Sequence, residues 1–342
     1  MVMTRFSLLD LAPIRQGGDA SEAFRHSRDL AQHAEKWGYY RYWLAEHHNL
    51  PGIGSAATAV LIGHIAGATK HIRVGAGGIM LPNHAPLIVA EQFGTLESLY
   101  PGRIDLALGR APGSDTATAQ ALRRYFASAD AFPQDVAELM MYFAPAEAGQ
   151  RVRAIPGQGL SVPLYLLGSS TFSAKLAAEL GLPFAFASHF APDYLSIALN
   201  IYRNEFKPSA QLTQPYAMIG AGIYAADTER EAKKIFSSAQ LQGLGLIRNQ
   251  PGKLPPPIDD IESAWSPDER IAIQHRTRYA AVGSPDMVEH RLGEILEATG
   301  ADEIILTAQI YDHQARLRSF EIAAAILGKM RTAASKQPSA GA

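Results

Sequence analysis

Two adjacent histidines, His47 and His48, follow an apolar segment that is typical of a buried strand. Imidazoles titrate near neutral pH, so they can transfer protons or bind a metal ion. A metal site would need ligands from other strand ends, and His84, His189 and His313 are the candidates. These histidines show no close pair with a defined ligand spacing, so the pattern predicts proton transfer and no metal site. A purely structural role for loop histidines is the alternative.

A second group of residues could hold a phosphate. Arg110 follows a predicted strand and lies between glycines, and a fixed guanidinium suits phosphate oxygens. Ser169, Ser170 and Thr171 fall where another strand runs into a helix, and the N–H groups at a helix start favour anions. A surface ion pair for Arg110 and simple N-capping by the hydroxyls are the alternatives. Together the two segments indicate one phosphate held from two sides.

Two further segments lie at predicted strand ends. Gly77 and Gly78 would let the backbone approach a flat ligand closely, although a tight strand exit also explains them. The segment 307–313 could line a substrate pocket, or His313 could simply begin a helix.

Composition excludes several classes of function. The chain has 342 residues, 31 basic against 33 acidic side chains and a formal charge of −2, so it lacks the basic excess of a nucleic-acid-binding protein. It has no cysteine, which removes disulfides, cysteine nucleophiles and iron–sulfur clusters. Neither a secretory signal nor a membrane span is evident. We therefore expect a soluble, cytoplasmic protein.

Strand-type and helix-type segments alternate along the chain. Strands are predicted at residues 5–9, 41–45, 72–75, 103–108, 164–167, 183–187, 216–224 and 303–307, and helices at 20–37, 56–69, 87–99, 133–143, 172–180 and 193–206. A late helix should begin at Pro285 and end before Gly300. Eight such units favour a (β/α)8 TIM barrel over an open sheet. We expect one domain over residues 1–330, with an irregular insertion near 243–262 and a flexible tail at 331–342.

The order of these motifs resembles that of the bacterial luciferase-like flavin monooxygenase family. The resemblance rests on Glu46-His47-His48, Gly-Gly followed by Leu81-Pro82, Gly102-Arg103 through Arg110, Gly168-Ser169-Ser170 through Gly181-Leu182-Pro183, and Val282-Gly283-Ser284-Pro285. Each motif is loose by itself, but their order and spacing are specific and extend over essentially the whole chain. The chain is most similar to single-component bacterial members of the family.

The resemblance implies a barrel that binds FMN, with reduced FMN supplied by a separate flavin reductase. Such enzymes oxidise a small organic substrate with O2 through a C4a-peroxyflavin. Arg110, Ser170 and Ser173 would hold the FMN phosphate, with Ser169 beside them. Gly77-Gly78 would form a bulge at the flavin ring, where family members often have a non-prolyl cis peptide bond. His47 would transfer a proton, oriented by His48 or Asn49.

Departures from the family pattern leave other functions open. Ser169 replaces an acidic residue, and Gly109 replaces a cysteine, at the corresponding luciferase positions. The phosphate contacts and the flavin environment therefore need not match those of luciferase. A deazaflavin-dependent oxidoreductase and a non-catalytic flavin-binding protein, which the resemblance implies the same fold can also serve, are the alternatives. The substrate pocket would be drawn from residues 8–12, 83–84, 188–190 and 243–262. Family members usually dimerise through the helices of the second and third units, so we expect a homodimer, with no nucleic-acid or membrane partner.

Overall fold

The strands form a closed barrel in the computed structural model, which describes residues 4–111, 116–122 and 129–336. They are β1 (Arg5–Asp10), β2 (Arg41–Leu44), β3 (Arg73–Met80), β4 (Ile104–Gly109), β5 (Leu164–Gly168), β6 (Phe184–Phe186), β7 (Ala217–Ala225), β8 (Ala280–Gly283) and β9 (Glu303–Thr307). Within these residues the barrel order is β1-β2-β3-β4-β5-β6-β7-β9, all parallel, with β9 paired to β1. The predicted (β/α)8 barrel is confirmed.

The sequence analysis did not predict β8. β8 pairs with the second half of β7, from Gly222 opposite Ala280 to Ala225 opposite Gly283, and lies outside the barrel. Three of its four residues are alanine or glycine, which have a low β propensity, so the segment gave no strand signal. The eight predicted strands all overlap barrel strands, because those strands are apolar runs buried on both faces.

The helices cover the outside of the barrel and return the chain to its other end. They are α1 (Ala20–Trp37), α2 (Thr58–Ala68), α3 (Pro86–Leu99), α4 (Thr116–Ala121), α5 (Phe132–Phe143), α6 (Thr171–Leu180), α7 (Leu195–Glu205), α8 (Glu229–Ile247), α9 (Pro267–Arg276), α10 (Pro285–Thr299) and α11 (His313–Lys336). Asp19 caps α1 by accepting from the Glu22 N–H at 2.8 Å, and Gly38 ends it in the left-handed conformation. Among the described residues, no helix combines the length and the apolar character needed to cross a membrane.

The predicted insertion is shorter than expected. α8 continues through Ile247, so the first part of segment 243–262 is helical. The prediction rested on Pro251, Gly252 and Pro255–Pro257, which all lie beyond the end of α8. Within α8, a Cβ on Gly243 would lie 2.9 Å from Ile273 Cδ1, so Gly243 allows α9 to pack closely on α8. Beyond α8, Leu254 exchanges backbone hydrogen bonds with Ile14 and Gln16. The irregular part is thereby attached to the loop that follows β1, beside the barrel mouth.

The C-terminal helix also extends further than expected. α11 reaches Lys336, so helix replaces the first half of the flexible tail predicted at 331–342. Residues 337–342 lie outside the described residues, and the assignment of 1–330 to one domain stays a prediction.

Charged side chains close the N-terminal end of the barrel. Arg41 binds Asp105 at 2.7 Å and Glu303 at 2.8 Å, and all three side chains are almost fully buried. Trp43 Nε1 donates to the same Asp105 carboxylate at 3.0 Å. Because this end is filled by a satisfied ionic network, a ligand can approach the barrel interior only at the carboxyl ends of the strands.

Candidate active site

A buried carboxylate organises the loops after β2 and β3. Glu46 Oε1 lies 2.7 Å from His48 Nε2, and both Glu46 oxygens lie 2.9 Å from His84 Nε2. The carboxylate also accepts from the Met80 N–H at 3.0 Å and from Asn83 Nδ2 at 3.3 Å. The Glu46 side chain is only 1% exposed, so water cannot compete for these bonds. Sequence reasoning placed Glu46 in a motif but missed this central role.

The charge state of Glu46 follows from these partners. Burial alone would raise the pKa of its carboxyl group, but hydrogen bonding to His84 and His48 and the charge of His84 hold that pKa below its ordinary value. Glu46, His48 and His84 also form a group whose ligand atoms all lie within 4.8 Å of one another. Of the histidines considered for a metal site, His84 therefore does lie close to His48. The described contacts are those of a hydrogen-bonded cluster, and the predicted absence of a metal stays a prediction.

His47 differs from His48 in having no such partner. Its Nδ1 atom is buried and makes no hydrogen bond to any described residue. Burial lowers the pKa of His47 below its ordinary value, although the negative charge of Glu46 opposes the shift. His47 is therefore neutral at pH 7, with a nitrogen left available. His48 binds Glu46 rather than His47, so the expected orientation of His47 by His48 is not observed in the part of the chain described.

A second uncommitted histidine follows β6, on the opposite side of the barrel mouth. His189 Nδ1 is buried without a partner among the described residues, and it lies over Gly220, where a Cβ would be 2.2 Å away. Burial, with smaller contributions from the charges of Arg276 and His47, lowers the pKa of His189 to about 3. Two neutral imidazoles thus contribute to one desolvated mouth. The sequence placed residues 188–190 in the pocket without assigning a role to His189.

The Gly77–Gly78 peptide bond is cis, as the family resemblance implied. The pairing of β3 with β4 shifts register here, which makes a bulge, and the Glu46 N–H donates to the Gly78 carbonyl at 3.2 Å. A Cβ on Gly77 would lie 2.9 Å from Trp43, and one on Gly78 would lie 2.5 Å from the Ala107 carbonyl oxygen. The barrel's own packing therefore requires both glycines, whether or not a flat ligand lies against them.

Arg110 and the start of α6 come together, as the sequence predicted. The Arg110 guanidinium lies 4.1 Å from the centre of the Phe172 ring, in the first turn of α6, and no described carboxylate pairs with it. Ser170 is the N-cap residue, but its hydroxyl makes no capping bond. Ser173 is buried beside Gly168, where a Cβ would be 2.9 Å from its hydroxyl oxygen, and Ser169 is exposed. Neither the surface ion pair nor the N-capping bond that the sequence allowed is formed in the described residues.

The fit of this mouth to a phosphorylated flavin can be judged from its unpaired polar atoms. Thr307 Oγ1 and Gln309 Oε1, at the end of β9, are also buried without described partners. Unpaired buried polar atoms are costly, so several of them around one opening indicate a polar ligand. Together with the free Arg110 guanidinium, they match a ring with polar edges and a phosphate. His313 begins α11, stacks on His26 at 4.0 Å and binds Asp29 through Nε2 at 2.8 Å, while its Nδ1 is also buried without a described partner.

The barrel and its mouth define a TIM-barrel fold with a polar opening at the carboxyl ends of the strands, and sequence comparison identifies the family. The model of the luciferase-like monooxygenase family matches residues 3–303, and the chain belongs to this family. A luciferase-like monooxygenase of Escherichia coli (strain K12) is 57% identical over 319 residues, which cover 93% of this chain and 95% of that protein. The family resemblance seen in the sequence is confirmed.

Solved structures agree with the fold. The crystal structure of apo-MsnO8 superposes with a TM-score of 0.89 at 34% identity, covering 95% of this chain and 98% of that one. The oxygenating constituent of 3,6-diketocamphane monooxygenase from Pseudomonas putida, a type II Baeyer–Villiger enzyme in complex with FMN, superposes with a TM-score of 0.72 at 18% identity, covering 96% and 98% of the two chains. The latter likeness is one of fold.

Proposed function

We propose that this protein is a flavin-dependent monooxygenase that uses reduced FMN and O2 to oxidise a small organic substrate. One oxygen atom would enter the substrate, and the other would leave as water with the two electrons of the reduced flavin. The observation that carries the proposal is the Arg110 guanidinium at the start of α6, which has no ion pair within the described residues, together with buried polar atoms at the strand ends that have no described partner. Membership of a monooxygenase family supports the same reaction class.

Each side chain of the mouth has a role in this proposal. Arg110 would bind the FMN phosphate, helped by the Ser170 and Ser173 hydroxyls and the N–H groups of the first turn of α6, with Ser169 beside them. The Gly77–Gly78 bulge would lie against the flavin ring. Reduced FMN supplies the electrons and the carbon atom that activates O2. The protein binds and orients the flavin, excludes water and moves protons.

The neutral state of His47 suits proton transfer. A histidine whose pKa is lowered by burial can accept a proton at Nδ1 and then release it, since the charged form is disfavoured in the desolvated mouth. Glu46 lies next to it in the chain and partly offsets the cost of the charged form. His48, held by Glu46, would act as a positioning residue for the loop.

Replacing Arg110 tests the phosphate site. We expect Arg110→Ala to weaken FMN binding by about 10- to 100-fold, the contribution of charge-assisted hydrogen bonds, and to leave riboflavin binding unchanged. Fluorescence titration of the full-length chain with both flavins measures the difference. Lys175→Ala is the matched control, because this exposed cation lies on the same helix away from its first turn. Equal losses for FMN and riboflavin would contradict the assignment.

Replacing His47 tests proton transfer. We expect His47→Ala to reduce turnover by about 10²- to 10⁴-fold, the usual contribution of general acid–base catalysis, with FMN binding nearly intact. Steady-state O2 consumption with reduced FMN and substrate is the measurement, and FMN titration of the same variant is the control. Unchanged turnover would remove His47 from the mechanism.

The alternatives are separated by cofactor and oxygen reactivity. The full-length chain is titrated with FMN, reduced FMN and a deazaflavin, and the reduced complex is then mixed with aerobic buffer. Tighter binding of FMN and O2 uptake coupled to product formation support the monooxygenase. Preference for deazaflavin without O2 uptake indicates the deazaflavin-dependent oxidoreductase. Tight flavin binding without either reaction indicates a non-catalytic flavin-binding protein.

Two partners complete the proposal. A separate flavin reductase would supply reduced FMN. Two copies of the chain would pair through α2 and α3, whose large apolar side chains Val60, Ile88 and Leu99 are 73%, 46% and 62% exposed. Large apolar side chains exposed on neighbouring helices support a protein contact surface there.

A further inference from the structure

The last residue of α9 brings a second unpaired cation to the barrel mouth. The Arg276 guanidinium lies 5.5 Å from the centre of the Phe190 ring, and Phe190 follows β6 directly after His189. No hydrogen bond or ion pair joins Arg276 to any residue in the described ranges. The side chain is partly buried, and burial lowers its pKa below the ordinary value. A half-buried guanidinium without an acceptor is unfavourable in the absence of a ligand.

The position of Arg276 is set by contacts on both sides of α9. Ile273, one turn earlier, is buried against Gly243 of α8. His275 Nε2 lies 2.7 Å from Asp193 Oδ1, which fixes the end of α9 beside the loop after β6. A full capping box at Ser266 begins the same helix. Arg276 therefore projects from a well-anchored helix, and it does not depend on a loose loop for its place.

The neighbours of Arg276 favour an anion. His189 and His47 are both neutral, and the positive charge of Arg276 contributes to the lowered pKa of His189. Phe190 contributes an apolar ring, which can cover the carbon skeleton of an organic molecule. A guanidinium among neutral and apolar groups selects a carboxylate or sulfonate, because its planar fork matches two acceptor oxygens.

Arg276 also differs from the cation assigned to the flavin. Arg110 follows β4 and meets the start of α6, whereas Arg276 meets the loop after β6. The two cations thus lie against different loops of the mouth, so one can hold the flavin phosphate while the other holds a second ligand.

We propose that Arg276 binds the anionic group of the substrate, and that the substrate is a small organic carboxylate or sulfonate whose carbon skeleton contacts Phe190. This inference rests on the proposed monooxygenase function for the identity of the ligand as substrate. The binding of an organic anion can nevertheless be measured without turnover.

The test compares anionic ligands with neutral ligands of the same shape. Octanoate, octane-1-sulfonate and phenylacetate are titrated into the full-length chain by isothermal calorimetry, with octanamide and phenylacetamide as neutral counterparts. We expect at least one anion to bind about 10- to 100-fold more tightly than its neutral counterpart. Comparing octanoate with octane-1-sulfonate shows which anionic group the site prefers.

Variants on α9 connect this preference to Arg276. Arg276→Gln should abolish the preference for the anion, and Arg276→Lys should restore part of it, since the charge returns without the planar fork. Arg270→Gln is the matched control, because Arg270 lies on the same helix but pairs with Glu262 in solvent. Unchanged riboflavin affinity in each variant shows that the mouth is folded.

Three results would overturn the inference. They are equal binding of anions and neutral ligands by the wild-type chain, a preference that persists in Arg276→Gln, and a loss of FMN affinity in Arg276→Gln without loss of riboflavin affinity. The last would place Arg276 at the flavin phosphate. The Arg110→Ala titration tests flavin binding separately, so failure of the anion site and failure of the proposed function are distinguishable.

Discussion

The neutral state of His189 predicts a specific loss of stability in acid. The side chain is held neutral because its Nδ1 is buried over Gly220 and because positive charge from Arg276 is nearby. In the unfolded chain the same imidazole has the ordinary pKa of 6.5 and takes up a proton below that pH. The unfolded state therefore binds more protons than the folded state between pH 6.5 and about 3, and the free energy of unfolding falls as the pH falls through this range.

The size of the effect follows from the two pKa values. A pH of 5 is 1.5 units below the pKa of 6.5 that the imidazole has in the unfolded chain. At about 1.36 kcal/mol per unit, protonation of this imidazole stabilises the unfolded state by about 2 kcal/mol. The folded imidazole, with a pKa of about 3, takes up almost no proton at pH 5. Above pH 7 the difference vanishes, since both states are neutral.

Urea unfolding of wild type and His189→Gln measures this quantity. Between pH 7.5 and pH 5 the wild type should lose about 2 kcal/mol more than the variant, whatever the absolute stability of each. His290→Gln is the control, because the His290 side chain is 79% exposed on α10 and should leave the pH dependence unchanged. Parallel pH profiles for wild type and His189→Gln would refute the desolvated mouth inferred here.

Two further substitutions test the frame around the site. Glu46→Gln removes the negative charge that binds His48 and His84. We expect the free energy of unfolding at pH 7, measured with urea, to fall by about 1–3 kcal/mol. An unchanged free energy of unfolding would show that the cluster adds no stability. Gly78→Ala should lower the free energy of unfolding by about 1–3 kcal/mol, because the new Cβ would lie 2.5 Å from the Ala107 carbonyl oxygen. Gly293→Ala, where the new Cβ on α10 meets open space, should raise the free energy of unfolding by up to about 1 kcal/mol. Similar thermal unfolding of the two glycine variants would contradict the packing argument.

Local patterns were sufficient for most of the fold. α1 occupies the predicted residues, because its apolar stripe, its Asp19 cap and its Gly38 end are all signals within one helix. The eight barrel strands are apolar runs for the same kind of reason. The start of the irregular insertion was wrong, because residues 243–247 are helical and Gly243 packs against Ile273 of α9, a contact between residues distant in the chain.

Some residues of the candidate site were predicted from local patterns, whereas others depend on contacts between distant parts of the chain. Arg110 and the serines of α6 were predicted from their positions at strand ends, since parallel strands bring those ends to one face. The network around Glu46 depends on the Met80 N–H and on His84, which only the pairing of β2 with β3 brings near. The sequence therefore placed Glu46 in a motif but did not indicate this network.

Residue types and periodicity by themselves determined the barrel, the absence of thiol chemistry and the strand ends at which a ligand could bind, and the order of the motifs resembled the family that the comparisons confirmed. The tertiary structure decided which polar atoms at those ends are satisfied. Glu46 and His48 are hydrogen-bonded to each other, whereas the buried Nδ1 atoms of His47 and His189 have no hydrogen-bond partner among the described residues, and Arg276 contacts Phe190 without an ion pair there. The physical reason is that burial and hydrogen bonding depend on groups distant in the chain, and these contacts determine pKa values and available donors.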